Sequence, residues 1–186
     1  MRKAEGSTLG RKLRDRIAAI AIGGALLLSF PAQSLSVQAD PLPKPQGGEI
    51  ILTIAGAIAN SNGDGSAFLD LALLKTLPAK QIVTETPWTK GVHTFTGVPL
   101  ESLMAWVGAR DKTVTVEALN DYSVDLPVDD GPKHGALVVY LFDGQPMLAS
   151  DRGPLWILYP FTERAETRSE TFYQRAVWNL FRMTVH

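Results

Sequence analysis

No cysteine occurs anywhere in the 186 residues, and that absence constrains the chain more than any motif it contains. A core without disulfides must be stable on packing alone. Every thiol-based chemistry is excluded at once: cysteine nucleophiles, redox dithiols, iron–sulfur clusters and cysteine-held zinc or molybdenum. The constraint is sharper because the N-terminus has the order of an export signal, and exported proteins are the ones free to use disulfides. Arg2, Lys3, Arg11, Lys12, Arg14 and Arg16 precede an uncharged run from Ile17 to Phe30, and Val37 and Ala39 supply small residues for a cleavage point. The apolar run, about 14 residues, falls short of the roughly 20 that a membrane-spanning helix needs. Residues 1–39 are therefore expected to be a signal peptide cleaved after Ala39, leaving a periplasmic or secreted protein with no membrane attachment. With no cysteine after the apolar core, a lipid-modified N-terminus is excluded as well.

Without residues 1–39 the chain carries 12 basic and 17 acidic side chains, a net charge of −5. Nucleic acid and anionic membranes call for a basic patch, so neither is an expected partner. Residues 40–48, rich in proline and glycine, read as an extended lead-in, and residues 49–186 as one domain of ordinary size.

Within that domain Glu49 to Ala57 alternates, with Ile50, Leu52 and Ile54 on one face, and predicts a strand. Asn60-Ser-Asn-Gly-Asp-Gly65 is a turn cluster, after which Asp70 caps a short helix whose apolar face includes Leu71 and Leu74; Pro78 marks its stop. A better-marked helix starts at Pro99, repeats Leu100, Leu103, Met104 and Val107 at i, i+3, i+4 and i+7, and ends at Gly108. Strand-like runs follow at Val114–Leu119, Tyr122–Leu126, Ala136–Phe142, Leu155–Tyr159 and Val177–Val185, with a tight turn at Asp143-Gly144. At least six strands with two or three short helices, in no regular alternation, predict an α+β fold dominated by mixed β-sheet.

Most candidate sites have a plain structural counterpart. Asn60, Asn62 and Asp64 before Gly65 match the start of a calcium loop, yet the position that should hold a bidentate glutamate is Leu71, and a polar turn uses the same residues. His93, His134 and His186 lie far apart without metal-ligand spacing. Asp121, Asp125, Asp129 and Asp130 fall on or beside turns, where solvation is the default and a carboxylate pair for acid–base work the alternative. No nucleophile-elbow signature is present. Trp88, Trp106, Trp156 and Trp178 are expected in the core, with a planar ligand's pocket as the other role.

Three stretches together resemble the oxidoreductase molybdopterin-binding domain of the sulfite oxidase family. Trp88 followed by Phe95-Thr-Gly-Val-Pro-Leu100 is similar to that family's tryptophan and G-V-P-L segment. Asn120-Asp-Tyr-Ser-Val-Asp-Leu-Pro127 is similar to its G-Y-S-x-x-L-P region. The series Ala136–Tyr140, Asp143–Pro146, Arg152–Leu155, Tyr159-Pro160 and Val177–Val185 follows the order of its C-terminal motifs. The resemblance runs from about Glu49 to the C-terminus and implies a sulfite oxidase-like fold.

What the resemblance implies for chemistry is altered at named positions. The family's molybdenum-ligating cysteine aligns, to within one residue, with Thr84, a hard and neutral donor in place of a soft thiolate. The family's histidine before glycine is Arg152, its arginine after Pro-Leu is Trp156, and the second lysine of its K-S-x-K is Trp178, while Arg175 stands where the first lysine stood. By resemblance, Thr84, Trp88, Asp121, Tyr122, Arg152, Trp156, Arg175 and Trp178 would line the pterin site, with no metal ligand and no assigned catalytic residue. Family members loaded with cofactor in the cytoplasm leave by the twin-arginine route, whereas this leader has Arg11-Lys12 and no Arg-Arg pair. Molybdopterin is thus implied by resemblance alone, and a chain with no cofactor stands beside it with equal weight. The functional expectations are an oxidoreductase-type domain without normal molybdenum ligation or, alternatively, a non-enzymatic module binding another small molecule in the same pocket.

Overall fold

Ten strands and four short α-helices make up residues 41–186, the part of the chain that the computed structural model describes. The signal-peptide reading falls on residues 1–39 and lies outside the described residues. Among the described residues no helix is long and apolar enough to cross a membrane.

The alternation read at Glu49–Ala57 becomes β1, Ile50–Gly56, with Leu52 and Ile54 fully buried and Ile50 exposed at the strand end. β2 (Ala67–Asp70) pairs antiparallel with it, and α1 (Leu71–Leu74) follows at once. Asp70 caps α1 as expected, accepting from the Leu73 amide at 2.8 Å. The buried residues of α1 are Leu73 and Leu74; Leu71 is only half-buried, because a helix this short sets its inward face by the preceding strand. The same carboxylate accepts from the Gln46 and Gly48 amides at 2.7 and 3.0 Å, pinning the extended lead-in to the domain; the Leu73 amide first, and then these two, hold its pKa below the usual carboxylate value.

β3 (Lys80–Glu85) and β4 (Val92–Pro99) form a hairpin, and Pro99 then leads into α2 (Leu100–Trp106), which buries Leu100, Leu103 and Met104. Gly108, at φ +61°, ends that turn as read from the sequence. β5 (Thr113–Ala118) and β6 (Ser123–Pro127) form a second hairpin, α3 (Asp130–His134) follows, and β7 (Leu137–Phe142) turns through Asp143-Gly144 into β8 (Gln145–Pro146). β9 (Trp156–Leu158), α4 (Glu170–Arg175) and β10 (Leu180–Val185) complete the chain.

Two sheets result. One has the order β2-β1-β10-β5-β6, with β1 and β10 parallel and the other pairs antiparallel. The other has the order β3-β4-β7-β8, with β9 also pairing β7. One continuous apolar cluster draws on both, from Leu52, Ile54 and Met183 to Phe95, Val138 and Ile157, and the α+β expectation holds at this level. Gly97 shows how tightly the second sheet is drawn: a Cβ there would collide with the Val138 carbonyl, so only glycine fits where β4 bulges against β7.

One expectation fails here. Asp129-Asp130-Gly131-Pro132 is not simply a solvated turn, because Asp130 opens α3 with a side chain that is buried. Its carboxylate accepts from the Tyr159 hydroxyl at 2.8 Å and pairs with the Arg175 guanidinium at 3.1 Å. Asp121, Asp125 and Asp129 are exposed as expected. The calcium-like cluster is a structural turn: Asn62 accepts from the Phe68 amide and donates to the Pro43 and Phe68 carbonyls, and Asn60 donates to the Trp106 carbonyl.

The β7–β8 turn carries a pH-sensitive tie. His93 lies between the Asp143 carboxylate at 2.7 Å and the Lys90 carbonyl at 2.8 Å, with its ring 4.6 Å from that of Phe142. The hydrogen bond to Asp143, then that to Lys90, raises its pKa above the ordinary 6.5. A raised folded-state pKa contributes stability that is fully present below 6.5 and is lost as pH rises through the folded value. Proton NMR of the His93 ring is expected to give a midpoint above 6.5, and H93Q is expected to flatten the fall in stability across that window; a midpoint at or below 6.5 would contradict it.

Candidate functional site

The turn between β3 and β4 is closed by Thr86, whose hydroxyl accepts from the Trp88 and Thr89 amides at 3.2 and 3.1 Å. Arg152 donates to the Trp88 carbonyl at 2.9 Å, so the backbone that carries the indole is held from both sides. Trp88 is the hub of an aromatic cluster in edge-to-face geometry, with centroids 5.5 Å from Trp178, 5.7 Å from Trp156, 5.9 Å from Tyr173 and 6.1 Å from Phe161. Trp156 is fully buried beneath it and donates its indole N–H to the Ala176 carbonyl at 3.3 Å.

This cluster borders a cleft of about 420 Å³. One wall is Trp88 with Pro87, another is Trp178 with Ala176 and Val177, and a third is α4 through Tyr173, Gln174 and Glu170. Ala118, Asn120 and Tyr122 close it from the β5–β6 hairpin. Tyr122 is anchored by its hydroxyl, which donates to the Gln174 carbonyl at 2.9 Å and ties the hairpin to α4. The size and the mostly apolar lining, with four aromatic residues, are those of a small-molecule site.

Of the residues singled out from the sequence, Trp88, Tyr122 and Trp178 are brought together on the lining, and Trp156 is the floor beneath them. The other four lie elsewhere. Asp121 sits at the exposed tip of the β5–β6 turn, at φ +66°. Arg152 pairs with Asp151 at 2.7 Å and lies over the outer side of Trp156, 5.6 Å from the ring centre. Arg175 is committed to Asp130. Thr84 is buried in β3, where its hydroxyl donates to the Glu85 carbonyl and accepts from the Thr162 amide, both at 2.9 Å. Tyr173, Gln174 and Glu170 were missed. The amphipathic pattern of α4 is only six residues long, and nothing in it announces which edge meets a cleft.

The cofactor implied by the resemblance does not fit this donor set. Thr84 has its hydroxyl engaged by backbone on two sides and contributes nothing to the cleft. Of the two arginines that would hold a pterin phosphate, Arg175 is paired with the buried Asp130 and Arg152 with Asp151 and the Trp88 carbonyl, and neither lines the cleft. Among the described residues no three His, Asp or Glu side chains gather to hold a metal ion. The histidines are dispersed: His134 packs on Phe172, and the His186 ring meets the Thr115 hydroxyl at 2.6 Å. Thr84 is instead a joint between β3 and the segment after β9. Thr84→Val is expected to cost about 1–3 kcal/mol, the penalty for leaving buried polar groups unpaired, measured by urea unfolding; a loss below about 0.5 kcal/mol, the scatter of neutral surface changes, would contradict that role.

No protein-family model matches this chain, and no curated protein matches it either.

Proposed function

We propose that residues 49–186 form a non-enzymatic binding module, with the cleft around Trp88 and Trp178 taking a small organic molecule and no molybdenum. One observation carries this reading: four aromatic side chains, Trp88, Tyr122, Tyr173 and Trp178, converge on a single cleft, while the hydroxyl and guanidinium groups assigned to a cofactor are tied into the scaffold. Aromatic rings supply large contact area at low entropic cost and orient flat or amphipathic ligands. The motif series from Trp88 to Val185 supports a sulfite oxidase-like fold as the scaffold, with its pocket reused, since a fold does not carry its chemistry with it. The basic leader of residues 1–39 supports export, so the ligand would be met outside the cytoplasm.

The test is a titration of indole emission against a panel of small aromatic and amphipathic compounds. A ligand that seats in the cleft is expected to quench or shift the emission, and Trp178→Ala is expected to weaken its binding about tenfold or more, each ring contact being worth about 0.5–1.5 kcal/mol beyond its area. Binding unaffected by loss of Trp178, or no binding across the panel, would refute the reading.

A further inference from the structure

The lining of the cleft narrows the class of ligand, and we propose that its occupant is an organic cation of the quaternary-ammonium type. The inference rests on the binding-module reading above. Trp88, Tyr173 and Trp178 all line the cleft, with the Trp88 plane at 72° to that of Trp178 and at 84° to that of Tyr173. An alkylammonium group is attracted to ring faces by their quadrupole, and a corner of rings is how proteins hold it without hydrogen bonds.

Charge points the same way. Among the described residues, Glu170 is the one carboxylate on the lining, and no lysine, arginine or histidine accompanies it there. The arginine that ends α4 and the one just before it are directed elsewhere, Arg175 to Asp130 and Arg168 to the Phe161 and Thr162 carbonyls. Residues 40–186 carry a net charge of −5, which favours approach of a cation over an anion.

Two of the polar side chains on the lining, Tyr122 and Gln174, are already hydrogen-bonded within the protein. The Tyr122 hydroxyl donates to the Gln174 carbonyl, and the Gln174 amide donates to Glu170 at 3.1 Å. That second bond holds the carboxylate on the cleft side of α4, where it supplies charge to a cation bearing no donors.

Choline and its neutral isostere 3,3-dimethylbutan-1-ol, which replaces N⁺ by carbon at nearly the same shape, separate the possibilities. The purified protein, titrated with each and followed by indole emission, is expected to bind choline at least tenfold more tightly. Glu170→Gln, at an exposed position, is expected to weaken choline about tenfold and leave the alcohol unchanged. Equal affinity for the two compounds would overturn the cation assignment and leave the binding-module reading standing. Preference for choline that survives unchanged in E170Q would remove Glu170 from the assignment and so overturn it as stated. Binding of neither compound would overturn the cation assignment, and a silent aromatic panel beside it would overturn the module reading too.

Discussion

Asp130→Ala is expected to destabilise the domain by about 3–5 kcal/mol, the range for breaking a buried ion pair from one side. The reason is what the substitution leaves behind. Arg175, whose side chain is only 23% exposed, loses the carboxylate 3.1 Å away, and the buried Tyr159 hydroxyl loses the acceptor 2.8 Å away. Burial, and then the Asp130 charge, push the Tyr159 pKa far above its ordinary value, so the phenol stays a neutral donor and cannot compensate. For a domain of this size the loss corresponds to a fall in Tm of roughly 10 °C. Asp130→Asn, which keeps an acceptor for Tyr159, is expected to lose less. A double-mutant cycle with Arg175→Met isolates the pair, and a loss for Asp130→Ala within about 0.5 kcal/mol of zero, the range of neutral surface changes, would contradict the network.

Trp156→Ala is expected to cost about 3–5 kcal/mol, as for other large aromatic side chains removed from a core. Trp156 is 1% exposed, joins β9 to β7 in the sheet, and stands edge-on to Phe95 at 5.7 Å and to Trp178 at 6.4 Å. Its loss opens a cavity beneath Trp88, so the consequence extends from packing to the cleft: the Trp88 and Trp178 rings lose the floor that sets their angle. Denaturant unfolding at unchanged m-value measures the first effect, and weakened ligand binding in the folded variant measures the second. A variant as stable as the parent would show that the floor is not structural.

Local patterns in the sequence carry the elements whose signal is local. β1, β5 and β6 show their alternation, β7 its continuous apolar run, α2 its i, i+3, i+4, i+7 stripe between Pro99 and Gly108, and the β7–β8 turn its Asp143-Gly144 pair. The β3–β4 hairpin escapes because its alternation is disguised. β3 buries only Ile82 and Thr84 and sends Val83 outward, while β4 loses period two at the bulge between Thr96 and Gly97. Asp130 is illegible for a different reason: it adjoins Asp129, a residue of the same type, and only partners 29 and 45 positions away decide which of the two is buried. The cleft is likewise non-local. Trp88 and Trp178 are visible as tryptophans, but that they meet each other, and that Tyr173 joins them, depends on β9 and β10 being drawn together at the Trp156–Trp178 bridge.

Thr84, the residue that the resemblance sets against the family's cysteine, is buried with its hydroxyl engaged by backbone on two sides. Ligand binding without molybdenum is tested most directly by the molybdenum and pterin content, per folded chain, of the protein purified from the cells that make it. The expected result is a well-folded protein with far less than one of either per chain. One molybdenum and one pterin per chain would contradict it.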